Sequence, residues 1–200
     1  MFKLLFALTF LLLLSGCISP RSFVDPNYPN VRYEELKRRD NPPKVVLNVQ
    51  FQRKGEPLPR ADTMLKDNTE RVLRASGVLL PVANASGADG DVRVIINNIG
   101  DENAAAKGFG TGLTFGLVGT TVTDAYEMTI TITVGGRTFS RTSVKHAIHT
   151  AIGNTTIPAG LEIVPINVAF ERVLEQMLLR VLKEYQETPE SASVSHQTAA

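Results

Sequence analysis

Between Asp124 and Val134 the chain alternates almost without a break. Tyr126, Met128, Ile130, Ile132 and Val134 are apolar, and Glu127, Thr129, Thr131 and Thr133 stand between them. Successive side chains of a strand point to opposite faces, so a period of two predicts a strand buried on one face only. Gly135-Gly136 follows at once, and this pair can take the positive φ that a two-residue hairpin turn needs. The chain must therefore return alongside itself, which commits the fold to a sheet. The returning segment, Arg137 to about Ile152, changes phase: Phe139 falls on an odd number, whereas Val144, His146 and Ile148 fall on even ones. A bulge between Arg141 and Ser143 reconciles the two halves.

The other elements read more simply. Lys44 to Gln52 sets Leu47, Val49 and Phe51 against Asn48, Gln50 and Gln52, a first strand with one buried face. After a loop with Gly55, Pro57 and Pro59, Asp62 is placed to cap a helix running to Ser76, with Leu65, Val72 and Leu73 plus Met64 and Thr69 inward and Gly77 as its stop. Val78 to Val82 is short and extended, and Asp91 to Ile99 carries Val92, Val94 and Ile96 on one face. From Pro165 to Tyr185, residues Ile166, Ala169, Phe170, Val173, Leu174, Met177, Leu178, Val181 and Leu182 recur at helical spacing and predict a helix packed on the sheet. Strand, helix, strand, hairpin and helix in that order predict an α+β two-layer sandwich. Its sheet is antiparallel or mixed, has about four strands, and carries two helices on one face.

The amino terminus obeys different rules. After Lys3 an apolar run from Leu4 to Leu14 ends in Leu14-Ser15-Gly16-Cys17. The run is shorter than the roughly 20 apolar residues that cross a bilayer as a helix. Small residues let a backbone enter a protease cleft, and the Cys17 thiol is the nucleophile that can accept a diacylglyceryl group. This ending resembles the lipobox of bacterial lipoproteins. The resemblance implies cleavage before Cys17, lipidation of its sulfur and acylation of the new amino terminus. Two or more chains at about 0.8 kcal/mol per buried CH₂ make a stable anchor. Ile18 stands where an Asp would hold such a protein back, so the resemblance further implies the periplasmic face of the outer membrane.

Composition is consistent with that address. Cys17 is the only cysteine, which rules out an internal disulfide and a cysteine-based metal or nucleophilic site. Without Lys3 the chain has 20 basic and 20 acidic residues, so no basic excess points to a nucleic acid. The expected organisation is a signal peptide over 1–16, the lipidated Cys17 with an extended tether over 17–43, a domain over 44–185, and a polar, Ser-rich tail over 186–200.

Within the domain lies an insertion, 104–122, whose one charge is Lys107 and whose Gly108, Gly112 and Gly116 repeat every four residues. As a helix it would present a face of small residues that another backbone can approach. As a loop it would be a mobile apolar flap. A dinucleotide cradle is excluded, because G-x-G-x-x-G from Gly108 and Gly110 needs glycine where Leu113 stands. Gly108, Phe109, Gly112, Phe115 and Gly116 are therefore the candidates for contact with a membrane or a partner protein. The alternatives are a partly packed connector and a flap over a small ligand.

No catalytic residues, metal or cofactor are expected. His146 and His149 are three apart, and on a strand odd spacing sends them to opposite faces, away from a shared metal. Ser140 or Ser143 with His146 and Asp124 would make a hydrolase set, but no G-x-S-x-G frames either serine. Lipobox, helix ending in glycine before an extended stretch, hairpin and terminal amphipathic helix together resemble the small periplasmic lipoproteins of the YajG type. More loosely they resemble the lipopolysaccharide-assembly lipoprotein LptE. The resemblance implies a non-catalytic binding or assembly module of the cell envelope, held to the membrane by its lipid and meeting an envelope protein as partner. The alternatives are a lipid or small-ligand carrier and, more remotely, an envelope hydrolase.

Overall fold

The computed structural model describes residues 21–100 and 120–188. Seven strands and two helices follow in order: β1 (Arg21–Val24), β2 (Lys44–Arg53), β3 (Glu56–Pro57), α1 (Asp62–Ser76), β4 (Leu80–Val82), β5 (Gly90–Asn98), β6 (Thr120–Val134), β7 (Arg137–Ile152) and α2 (Ile166–Glu187). The strands form one mixed sheet in the order β1-β7-β6-β5-β2-β3, with β4 also paired to β2. β2 runs parallel to β4 and β5, and the remaining pairs are antiparallel.

The α+β class follows the sequence expectation, but the sheet is larger than the four or so strands the periodicity gives. β1 and β3 are the additions, and with four and two residues neither is long enough to show a period.

The hairpin forms as its residues require. Gly135 and Gly136 both have positive φ, 58° and 76°, and β6 pairs with β7 from Thr120↔Ile152 to Val134↔Arg137. Met128 faces Val144 while Ile130 faces Arg141, so Thr142 and Ser143 together oppose Thr129. This is the bulge that the phase change demands, and Ser143 takes a left-handed φ of 55° within it.

Both helices pack on one face. Leu65, Val72 and Leu73 from α1 and Val173, Leu174, Leu178 and Val181 from α2 are fully buried, as are Val45, Val92, Val94, Ile96, Met128 and Ile130 of the sheet. Each such side chain contributes roughly 1.5–3 kcal/mol on burial. Phe170 joins the layers, its ring 5.8 Å from Phe51 and 5.3 Å from Tyr126. On the opposite face Thr131 meets Ser140, and Thr133 meets Thr138, each through hydroxyls 3.3 Å apart. Asp62 is the first residue of α1 rather than its cap. Its carboxylate instead accepts the Phe51 N–H at 2.7 Å, tying the helix start to β2.

The expected tether over 17–43 is, from Arg21 onward, part of the packed domain. β1 pairs with β7 from Arg21↔Ala151 to Val24↔Ile148, and Phe23, Val31 and Leu36 are buried. These apolar residues are too widely spaced in sequence to read as an element, yet Val31 and Leu36 join the core and Phe23 is buried beside His149. The insertion read as 104–122 also ends earlier, because Thr120 to Val122 already belong to β6.

The register gives the sandwich two distinct ends. One carries the Gly135-Gly136 turn. The other, the β1 end, carries Arg21, Thr120 and Ile152 together, with Val164, just before α2, bridged to Ser22.

Candidate functional site

The titratable side chains of the β1 end converge where β1 lies on β7. Phe23 faces His149 across the pair, with ring centroids 5.3 Å apart. The chain leaves β1 with the Asp25 N–H donating to the Ala147 carbonyl at 3.1 Å, which brings the Asp25 carboxylate over the His149 ring edge. Asp25 Oδ2 lies 3.1 Å from His149 Nε2, and Thr123 Oγ1 on β6 lies 2.9 Å from Nδ1. A carboxylate accepts only, so Nε2 carries the proton in the neutral ring and Nδ1 accepts from the Thr123 hydroxyl. The other carboxylate oxygen, Oδ1, accepts from the Asn27 N–H at 2.9 Å and its side-chain amide at 2.8 Å.

Partial burial of Asp25 opposes ionisation, but the Asn27 N–H and the His149 ring outweigh it and hold the carboxyl below its ordinary value. Hydrogen bonds to the charged form win over desolvation here.

His146 lies on the other face of β7. Tyr28 stacks on its ring at 4.6 Å with a 27° tilt, and the Ala147 N–H donates to its Nδ1 at 2.9 Å. Burial pushes its pKa down, so the neutral ring is the stable form. The two histidines thus lie on opposite faces, as their odd spacing on a strand dictates, and they share no site.

The serine-based hydrolase set does not assemble. Ser140 is engaged with Thr131 and the Ile130 carbonyl, Ser143 sits in the bulge, and Asp124 accepts from the Asn98 amide at 3.4 Å. The acid, imidazole and hydroxyl that do meet are Asp25, His149 and Thr123. Asp25 lies in what reads as a linker, and no local pattern pairs it with His149.

Around this cluster β1 is fastened on every side. Ser22 exchanges backbone hydrogen bonds with Val164 at 3.3 and 2.9 Å, and its hydroxyl meets Thr150 Oγ1 at 2.9 Å. Arg21 donates to the carbonyls of Gly153 and Thr155 at 3.1 and 2.9 Å. The outer edge of β1 is therefore occupied at Ser22. The part of β7 not covered by β1 holds the bulge together with Arg137, Arg141 and Lys145, and bulges and charges oppose strand addition. An open groove of about 390 Å³ beside it is lined by Arg141, Thr142, Ser143, Arg180 and Glu184, with Val144 as its one apolar residue, and Arg141 is paired to Glu184. This lining is polar, unlike a lipid pocket.

Leu14, Ser15, Gly16 and Cys17 lie outside the described residues, as do Gly108, Phe109, Gly112, Phe115 and Gly116. What the structure places is where their segments attach. The chain from Cys17 enters the sheet at Arg21, and the glycine-rich segment rejoins it at Thr120, both at the β1 end.

No family model and no curated protein matches the chain. Several solved structures are similar at the level of the chain trace. One is described as a neuraminyllactose-binding hemagglutinin homolog from Helicobacter pylori, at 12% identity over 86% of this chain and 98% of that one, with a TM-score of 0.39. Another is the PelC dodecamer from Paraburkholderia phytofirmans, at 11% over 82% and 96%, TM-score 0.35. A third is a DUF330 protein from Xanthomonas campestris, at 16% over 84% and 92%, TM-score 0.37. Similarity this distant carries no functional argument.

Proposed function

We propose that this chain is an outer-membrane lipoprotein on the periplasmic face, anchored through Cys17, whose domain is a non-catalytic binding or assembly module of the envelope. The observation that carries the reading is the position of β1. The Leu14-Ser15-Gly16-Cys17 ending stands four residues before Arg21, and Arg21 is already paired into the sheet. An acylated Cys17 would thus be coupled to a folded body through a very short connection. The glycine-rich segment returns to the sheet at the same end, which suits a role for Phe109, Phe115 and the glycines around them in touching membrane or an envelope partner.

The test is metabolic. Cells expressing the full chain and fed labelled palmitate should label it, and Cys17→Ser should abolish the label and shift the protein from the membrane to the soluble fraction. An unlabelled wild-type chain overturns the proposal.

The Asp25–His149–Thr123 chain favours a second reading, a hydrolase in which His149 takes the Thr123 proton. That reading requires His149→Gln and Thr123→Val to abolish the protein's cellular phenotype with the fold intact, whereas the non-catalytic module tolerates both.

A further inference from the structure

The described residues include three large apolar side chains that are strongly exposed: Met64 at 40%, Ile163 at 48% and Ile166 at 45%. The helical periods place Met64 and Ile166 inward, but each stands in the first turn of its helix and is exposed. Met64 follows Asp62, which is bonded to Phe51 in the row of Ile96 and Met128, nearer the middle of β6. Single exposed apolar residues are ordinary, but Ile163 and Ile166 flank Val164, which is bridged to Ser22 of β1, so these two share the β1 end.

Ile163 is held outward by both neighbours. Glu162 takes a bidentate grip on Arg172, 2.8 Å at each oxygen, and Val164 is bonded to Ser22 of β1. Its exposure is therefore built in rather than the swing of a loose loop.

We infer that the β1 end is a bilayer-facing rim, with Ile163 and Ile166 seated in the lipid interface. What commits the rim to a lipid occupant is the length of chain outside the described residues and where it ends. Four residues from Cys17 to Arg21 reach at most roughly 14 Å, whereas the 15 residues of β6 carry the Gly135-Gly136 turn roughly 50 Å away. A lipid on Cys17 thus presses this end, and not the other, towards the acyl boundary, where apolar side chains sit roughly 5–10 Å deep. The inference rests on acylation of Cys17 as proposed above.

The chain contains no tryptophan, so single reporters read the rim cleanly. Ile163→Trp, Ile166→Trp and, on the far end, Thr138→Trp are made in the full chain. Each is purified in its lipidated form and inserted into vesicles of phosphatidylethanolamine and phosphatidylglycerol, with and without brominated phosphatidylcholine. Circular dichroism and thermal midpoints check that each variant folds as the parent does. The two rim reporters should shift to the blue on vesicles and lose about half their emission to the brominated lipid, with Thr138→Trp unchanged. Rim reporters that stay unquenched in a palmitate-labelled chain overturn the rim alone, as does equal quenching at Thr138→Trp. A chain that takes no palmitate overturns the anchor and, with it, the rim.

Discussion

His146 and His149 sit three residues apart and meet opposite circumstances, because alternate strand residues see opposite faces. His149 has a carboxylate at one ring nitrogen and a hydroxyl at the other, whereas His146 is buried with its pKa lowered by that burial. Above about pH 6.5 both the folded and unfolded forms carry His146 neutral; below it the unfolded chain takes up a proton that the folded chain resists, so stability falls as pH falls. His146→Phe keeps a ring to stack on Tyr28 and should flatten the pH dependence of the urea midpoint between pH 7 and 5. Asp25 works in a lower window. Its carboxyl is held below the ordinary value, so the stability it contributes is present above about pH 4 and is lost as pH falls through the folded value. Asp25→Asn should remove part of that acid limb from the urea-midpoint profile. Neither role is legible in the sequence. Odd spacing separates the histidines correctly, but Asp25 finds His149 only through a strand pairing that no local pattern announces.

At the level of elements, length decides what a sequence discloses. β6, with fifteen residues, and α2, with twenty-two, repeat their periods often enough to be read directly, and the phase shift in β7 locates its bulge to the residue pair. β1 and β3 are too short to repeat anything. Asp62 misleads for another reason: its carboxylate goes to the Phe51 N–H of β2, a tertiary claim stronger than local capping. Gly90 shows how closely the strands approach. A Cβ there would stand 1.8 Å from the Thr133 carbonyl oxygen, and backbone cannot yield as a side chain can. Gly90→Ala should therefore cost about 3 kcal/mol or more in denaturant unfolding, the upper range for overpacking. In the interlayer core Leu178 is fully buried, and Leu178→Ala should cost about 2–5 kcal/mol through the cavity it leaves.

For the whole molecule, the Leu14-Ser15-Gly16-Cys17 ending is legible because its pattern is local, whereas the orientation that the proposed lipid would impose depends on where Arg21 is held. That dependence is testable by lengthening the connection. Twelve Gly/Ser residues inserted after Pro20 add a coil with a root-mean-square span of roughly 20 Å, which should release the β1 end and weaken lipid quenching at Ile166→Trp while leaving the thermal midpoint unchanged. The pairing of β1 with β7 has one more outcome. Ser22 and Thr150 meet across 128 positions, so the strand that emerges first from any source delivering the chain from its amino terminus waits for nearly the whole polypeptide before its partner exists. Closing so large a loop is slow relative to local structure. The pairing of β1 therefore forms late relative to the β6–β7 hairpin, and the first strand made stands without its neighbour until Ile148 to Ala151 have been added.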